Sequence, residues 1–506
     1  MTQSRRDFLL TATSLAVVAE TKLFAGTGPS DLAKYDALGL AELIKTKQIS
    51  ALELVDDVAR RIDRVNPKIN AVLTKNFDIE KARDRARKGV GDGRFAGAPV
   101  MLKNLTEYKD AQIDSGSRLM ARAIAKNGIL DQKSSPLVDA MERAGMIVTG
   151  ITNAPEFGLI DTTEPVLHGP TRNPWNTGRT AGGSSGGTAA AIAAGIVPLA
   201  HGNDGGGSIR IPSCQCGVFG LKPTRGRELG NGGMGGGNDA LNISSDLCLS
   251  RSVRDSAAFL DAVENKTHPS LQPVGFVTGP SKKRLKIALV LEAFNGKPPD
   301  PAVAKATHAA AKLCDQLGHH VEESKLPING PDFIDAFIGF WASDTVPLEA
   351  QAAKLLGPGV KPEDVFEPWT LGLIELGKTR GPDACVQRAI KSFGEASAQL
   401  EKMFQSYDVI LSPVMREPPY PIGWHAPTVE FKTLLPRVLD VVGYTPIHNA
   451  VGTTAMSVPL EWTSDGLPIG AQFAAWKGGE TTLFQLAYEL EAAHPWAGKR
   501  PPIFAS

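Results

Sequence analysis

Between Thr180 and Arg210 the chain reads TAGGSSGGTAAAIAAGIVPLAHGNDGGGSIR, two glycine-serine clusters around one alanine-rich segment. Alanine is the strongest helix former, whereas glycine lets a backbone turn sharply or approach another group with no Cβ in the way. A helix from about Gly187 to Gly195 carries the chain away from Ser184 for roughly 13 Å at 1.5 Å per residue. The apolar run Ile196 to Ala200 then returns as a strand at about 3.3 Å per residue. The two clusters therefore fold back toward each other, and Ser184 and Ser208 can meet in one site.

Elsewhere the pattern alternates between helix and strand. Two amphipathic helices are expected between Ala37 and Val65, a short strand at Ile69 to Thr74, and a basic helix near Lys81 to Lys88. Val100 to Lys103 reads as an apolar strand ending in a lysine, followed by a helix near Ser135 to Ala144 and a strand at Met146 to Ile151. Further strands are expected at Lys286 to Leu291, Val409 to Ser412, Ala455 to Leu460 and Ile469 to Phe473, with a long helix at Glu480 to Ala493. This is an α/β chain with one large mixed central sheet flanked by helices on both faces. A helical region at about 329–405 carries Phe333, Phe337, Phe340, Trp341, Phe366 and Trp369, aromatics placed to pack a core and to wall a substrate site together.

Charge narrows the partners. Fifty-four basic residues balance 54 acidic ones, which leaves no field to hold nucleic acid or a membrane surface, so a small molecule is the expected partner. Five cysteines are too few for a disulfide framework in 506 residues, and Cys214 and Cys216 read as buried thiols. No H-E-x-x-H helix is present, and neither metal nor cofactor is expected. Residues 1–25 form a separate unit: Ser4-Arg5-Arg6-Asp7-Phe8-Leu9 before a short apolar run resembles a twin-arginine export signal, which implies delivery to the bacterial periplasm and cleavage near Ala25. Residues 26–506 are read as one catalytic domain.

Three familiar patterns fail on context. Gly230 to Gly235 satisfies G-x-G-x-x-G without a preceding strand or a following helix. Gly372 to Thr379 satisfies the phosphate-loop pattern with four central residues that suit a helix. Gly183-Ser184-Ser185-Gly186-Gly187 satisfies G-x-S-x-G and nominates Ser185, but polar, turn-rich residues stand where the buried strand of a nucleophile elbow belongs. A Ser-His-Asp hydrolase using Ser185 stays open as an alternative, as does a catalytically silent binding protein.

The stretch Gly182 to Pro212 as a whole closely resembles the signature of the amidase signature family, serine hydrolases of carboxamides. The likeness extends to Gly97–Lys103, Thr152–Phe157, Gly217–Arg225 and Met456–Phe473. Thr163-Glu164-Pro165, His168 to Trp175 and Asn203 to Ser208 look most like the branch that includes 6-aminohexanoate cyclic dimer hydrolases. The resemblance implies Ser208 as nucleophile, Ser184 as a bridging serine after a cis peptide bond, Lys103 as base, and the backbone of Gly205, Gly206 and Gly207, with that of Ser208, as oxyanion hole. It also implies a small-molecule amide substrate, linear or cyclic, and no cofactor. The amidotransferase subunit that resembles these enzymes acts on charged transfer RNA, from which export would separate this chain. Asp204 and Arg210 are expected to form a structural ion pair. One departure bears on the chemistry: Asn104 follows Lys103 where the family usually has aspartate.

Overall fold

Alternate residues along the central strands belong to two different apolar cores. Ile287, Leu289, Val409, Leu411, Met456 and Phe473 join one, while Ala288, Ile410, Ala455 and Ala474 join the other. Successive side chains of a strand point to opposite faces, so both faces of the sheet are covered. This computed structural model describes residues 29–128, 133–230 and 241–505. Ten strands form the sheet, in the spatial order Ile147–Thr152, Pro99–Lys103, Leu199–Asp204, Ser245–Ser250, Phe219–Lys222, Thr454–Trp462, Pro468–Ala475, Val409–Pro413, Lys286–Leu289 and His320–Glu323. Pairing is parallel at both ends and antiparallel through the middle, which makes the sheet mixed, as expected. Burial on both faces explains why strands such as Val409–Pro413 and Pro468–Ala475 read as near-continuous apolar runs.

Helices Ala51–Ile69, Val253–Val263, Pro301–Gln316 and Glu480–Ala493 supply side chains to the first core. Helices Gly330–Ser343, Pro368–Arg380 and Pro382–Ser406 supply side chains to the second, where Phe333, Phe337, Phe340 and Phe393 form a cluster of rings. Start signals are local: Ser50 caps Ala51–Ile69 in a reciprocal pair with Glu53, and Pro382 occupies the first turn of Pro382–Ser406. Gly372 to Thr379 lies inside the helix Pro368–Arg380, which removes the phosphate-loop reading.

Two expected strands differ. Ile69 to Thr74 forms only a bridge from Val72 to Thr152, because the Asn66 side chain accepts from the Ala71 and Val72 N–H groups and donates to the Val72 carbonyl. Those backbone groups are satisfied without a full ladder. The return from the alanine-rich helix begins later than Ile196: Gly195 turns at φ 74°, and the strand runs Leu199–Asp204. Pro198 precedes it and has no N–H to give a ladder. Among the described residues no helix is long and apolar enough to cross a membrane. The export-signal residues lie outside the described residues, as does most of the Gly230 to Gly235 pattern.

Candidate active site

Lys103 ends its strand beside the strand Leu199–Asp204, with Met101 opposite Ala200 in parallel register. That register brings the Lys103 side chain to Asn203 and to the first glycine-serine cluster. Nζ donates to Ser184 Oγ at 2.7 Å and to the Asn203 side-chain carbonyl at 2.5 Å. Both partners are neutral, and Lys103 is completely buried. Burial lowers its pKa to about 7, against the opposing pull of the Asp246 and Asp204 carboxylates. A neutral amine at this position has a lone pair to receive the Ser184 hydroxyl proton.

The Ser184 loop reaches the lysine because glycines let it sink. The Gly183–Ser184 peptide bond is cis. A Cβ on Gly183 would stand 2.5 Å from the Thr162 carbonyl oxygen, and one on Gly187 would stand 2.4 Å from the Asn153 nitrogen. Helix Gly186–Ala193 starts immediately after, and Ser185 points back to the Asn203 carbonyl at 3.3 Å.

The second cluster is held by a different kind of contact. Asp204 accepts from Gly207 N–H at 2.8 Å, from Ile209 N–H at 3.1 Å and from Arg210 Nε and Nη2 at 3.0 and 2.9 Å. Arg210 also reaches the Thr445 carbonyl, Gln472 and Asn449. Burial alone would push the Asp204 carboxyl up, but Arg210 and Asn449 overcome it and hold the carboxyl well below the usual carboxylate range. The expected structural ion pair is present, fully buried. It has a consequence for the oxyanion hole: the Gly207 N–H is already committed to Asp204, so it is not available to a substrate oxygen. Gly205, Gly206 and Ser208 carry the N–H groups that remain. Gly207 keeps another duty, since at φ 139° a Cβ there would lie 2.4 Å from Thr445 Oγ1.

Ser208 opens onto a cavity of about 540 Å³, part of it continuous with solvent, whose walls include Gly206, Phe337, Trp341 and Trp369. Helices of the 329–405 region thus supply its aromatic wall. Histidine-carboxylate contacts exist elsewhere, among them His168 with Asp114, His201 with Asp246 and His425 with Asp161, each at 3.0 Å. Among the described residues no histidine contacts Ser185 or Ser208.

The sequence matches the Amidase family model over residues 53–484. The chain belongs to the amidase family. It is 35% identical over 485 residues to the protein of Mycobacterium tuberculosis (strain ATCC 25618 / H37Rv) provisionally named amidase AmiC, covering 94% of this chain and 98% of that one. It is 32% identical over 487 residues to the 6-aminohexanoate-cyclic-dimer hydrolase of Pseudomonas sp. (strain NK87), covering 92% and 96%. The solved structure of 6-aminohexanoate cyclic dimer hydrolase superposes with a TM-score of 0.84 at 30% identity, over 93% of this chain and 99% of that one. Family and fold together make this an amide-hydrolysing enzyme.

For an amidase-family chain, the asparagine after the lysine now has a physical account. Asn104 donates to Asp114 Oδ1 at 2.6 Å and accepts from the Asp114 N–H at 3.1 Å. His168 and Asn76 bond the same carboxylate. Burial raises the Asp114 carboxyl, but these bonds more than offset it and leave its pKa below the ordinary value. The negative charge near this corner of the amidase therefore sits on Asp114, and an aspartate at 104 would face it directly. Asn203, the second partner of Lys103, escaped the sequence reading, because only the register of two strands separated by a hundred residues puts it there.

Proposed function

We propose that this chain hydrolyses carboxamides through an acyl-enzyme on Ser208, with Ser184 and Lys103 relaying protons. The observation that carries the reading is the buried contact of Lys103 with Ser184, made by a lysine whose pKa lies near 7. As Ser208 Oγ attacks the amide carbon, its proton passes to Ser184 and the Ser184 proton passes to Lys103. The developing oxyanion draws on the N–H groups of Gly205, Gly206 and Ser208. The C–N bond then breaks while the proton returns from Lys103 through Ser184 to the leaving nitrogen, which departs as a neutral amine. Water attacks the acyl ester, gives its proton to the same relay, and releases the carboxylate as Ser208 is restored.

Likeness to 6-aminohexanoate-cyclic-dimer hydrolases supports linear and cyclic amides alike as substrates to test. The N-terminal Ser4-Arg5-Arg6 segment supports export to the periplasm. Labelling with a fluorophosphonate followed by peptide mapping tests the nucleophile: Ser208 is expected to carry the label, and Lys103→Ala to lose it. Label on Ser185, or undiminished labelling of the lysine variant, would overturn the relay. Cell fractionation of the full chain with and without Arg5→Lys and Arg6→Lys tests export.

A further inference from the structure

Away from Ser208 and Gly206, the aromatic wall of the cavity has its polar groups already spent on neighbours. Trp341 and Trp369 both line it, and both indole N–H groups donate to the Leu159 carbonyl, at 3.3 and 3.0 Å. Only their ring surfaces are left to face a ligand. Phe337 stacks on Trp341 with centroids 5.8 Å apart, and both rings lie 3.5 to 3.7 Å from the position of a Cβ on Gly206. Aliphatic side chains such as Ile338 and Val438 complete the wall. Among the described residues no lysine, arginine or histidine lines it, and Asp161 is its one ionisable residue. The Asp161 carboxylate accepts from the Tyr420 hydroxyl at 2.9 Å and from His425 Nδ1 at 3.0 Å.

From this wall, and resting on the amide-hydrolysis reading above, we infer that the substrate is a neutral amide that places an uncharged apolar group of several carbons in this cavity, and that amides bearing a carboxylate on that group are rejected. A carboxylate set against these rings and aliphatic side chains would give up its water without gaining a cation or a side-chain hydrogen-bond donor. It would also share the wall with the Asp161 carboxyl group, whose oxygens already accept from Tyr420 and His425. Each methylene moved from water onto the rings and aliphatic side chains, in contrast, strengthens binding about fourfold. Members of one hydrolase family that share a relay can thus differ in whether the reacting acyl or amine carries charge, and this wall selects against it.

Two substrate series separate the outcomes. The first varies the acyl group of a p-nitroanilide through acetyl, butanoyl, hexanoyl and succinyl. The second varies the amine of an acetamide through butyl, hexyl and 3-carboxypropyl. In at least one series kcat/KM is expected to rise about fourfold per methylene, with the carboxylate member at least about 100-fold below its neutral counterpart. Val438→Lys, a half-buried position on the helix Phe431–Val441, should narrow that gap at least tenfold by supplying a cation. Equal kcat/KM for neutral and carboxylate members in both series would overturn the inference while leaving amide hydrolysis standing. Absence of turnover on every amide, with no fluorophosphonate on Ser208, would overturn the hydrolase reading and this inference with it.

Discussion

Arg210 and Lys103 are both wholly buried near Ser208, and their neighbours decide what each can do. Arg210 is met by the Asp204 carboxylate and by Asn449, Gln472 and the Thr445 carbonyl, so its charge is matched and its hydrogen bonds are filled. Lys103 is met by a hydroxyl and an amide carbonyl, with no carboxylate in contact. A buried cation without an adjacent anion loses its hydration and gains little in return, so it gives up its proton. Arginine cannot do so in a protein, whereas lysine can. The first cation is a fastener for the Ser208 loop. The second is placed to act as the base of the proposed relay.

Removing each one separates the roles, and the largest effect is expected at Lys103. Lys103→Ala should lower kcat/KM by about 10³ to 10⁴-fold, the scale of a lost general base, while the protein remains folded. Stability should move the other way in Lys103→Met. The folded pKa of about 7 lies below the ordinary 10.5, so the unfolded state binds more protons between those values. The lysine's cost to stability is therefore full below pH 7 and fades toward pH 10.5. Urea denaturation at pH 6 and at pH 10 should find Lys103→Met more stabilised at the lower pH.

Arg210→Met should do the reverse. It leaves the Asp204 carboxylate buried without its cation and is expected to cost about 3 to 5 kcal/mol of stability, read from chemical denaturation. Activity should fall with it, because Asp204 no longer fixes the loop that carries Gly205 to Ser208. A fall in activity at unchanged stability would instead place Arg210 in contact with substrate.

Much of this contrast was legible before any coordinates. The helix after Ser184 follows from its alanine run, and an aspartate and an arginine six residues apart around a glycine run already suggest a closed ion pair. What could not be read is whatever depends on cross-sheet register. Asn203 becomes a partner of Lys103 only because Met101 lies opposite Ala200. The fate of the Gly207 N–H was hidden for a different reason: Asp204 can fold onto an amide three residues ahead or leave it free, and Arg210, Asn449 and Thr445 fix the choice from outside the loop. From the sequence alone, Asn104 reads as a lost charge beside Lys103. It proves to be the uncharged half of a contact whose charge lies ten residues away, at Asp114.

That contact supplies a smaller test. Asn104→Asp puts two carboxylates within hydrogen-bond range and should destabilise the fold by about 1 to 3 kcal/mol at neutral pH. The introduced carboxyl would have a raised folded pKa, so the loss should grow as pH rises through that value and shrink in acid. Asn104→Asp combined with Asp114→Asn restores a single charge and should recover most of the stability. Failure to recover would mean that His168 and Asn76 need the charge specifically at 114.

The finest test converts one buried cation toward the other. Asn203→Asp gives Lys103 the carboxylate partner that Arg210 already has, with nearly the same side-chain shape. An opposite charge in contact favours the protonated amine, so the lysine pKa should rise. Only the neutral amine accepts the Ser184 proton, so activity rises with pH through the lysine pKa, near 7 in the native enzyme. In the variant the limb should move up by about one unit or more, with kcat at neutral pH falling about tenfold and recovering at higher pH. A uniform drop across the whole profile, with the limb still near 7, would show that Asn203 only supports the loop. A moved limb would show that the neutrality of its amide, rather than the depth of burial alone, keeps Lys103 reactive.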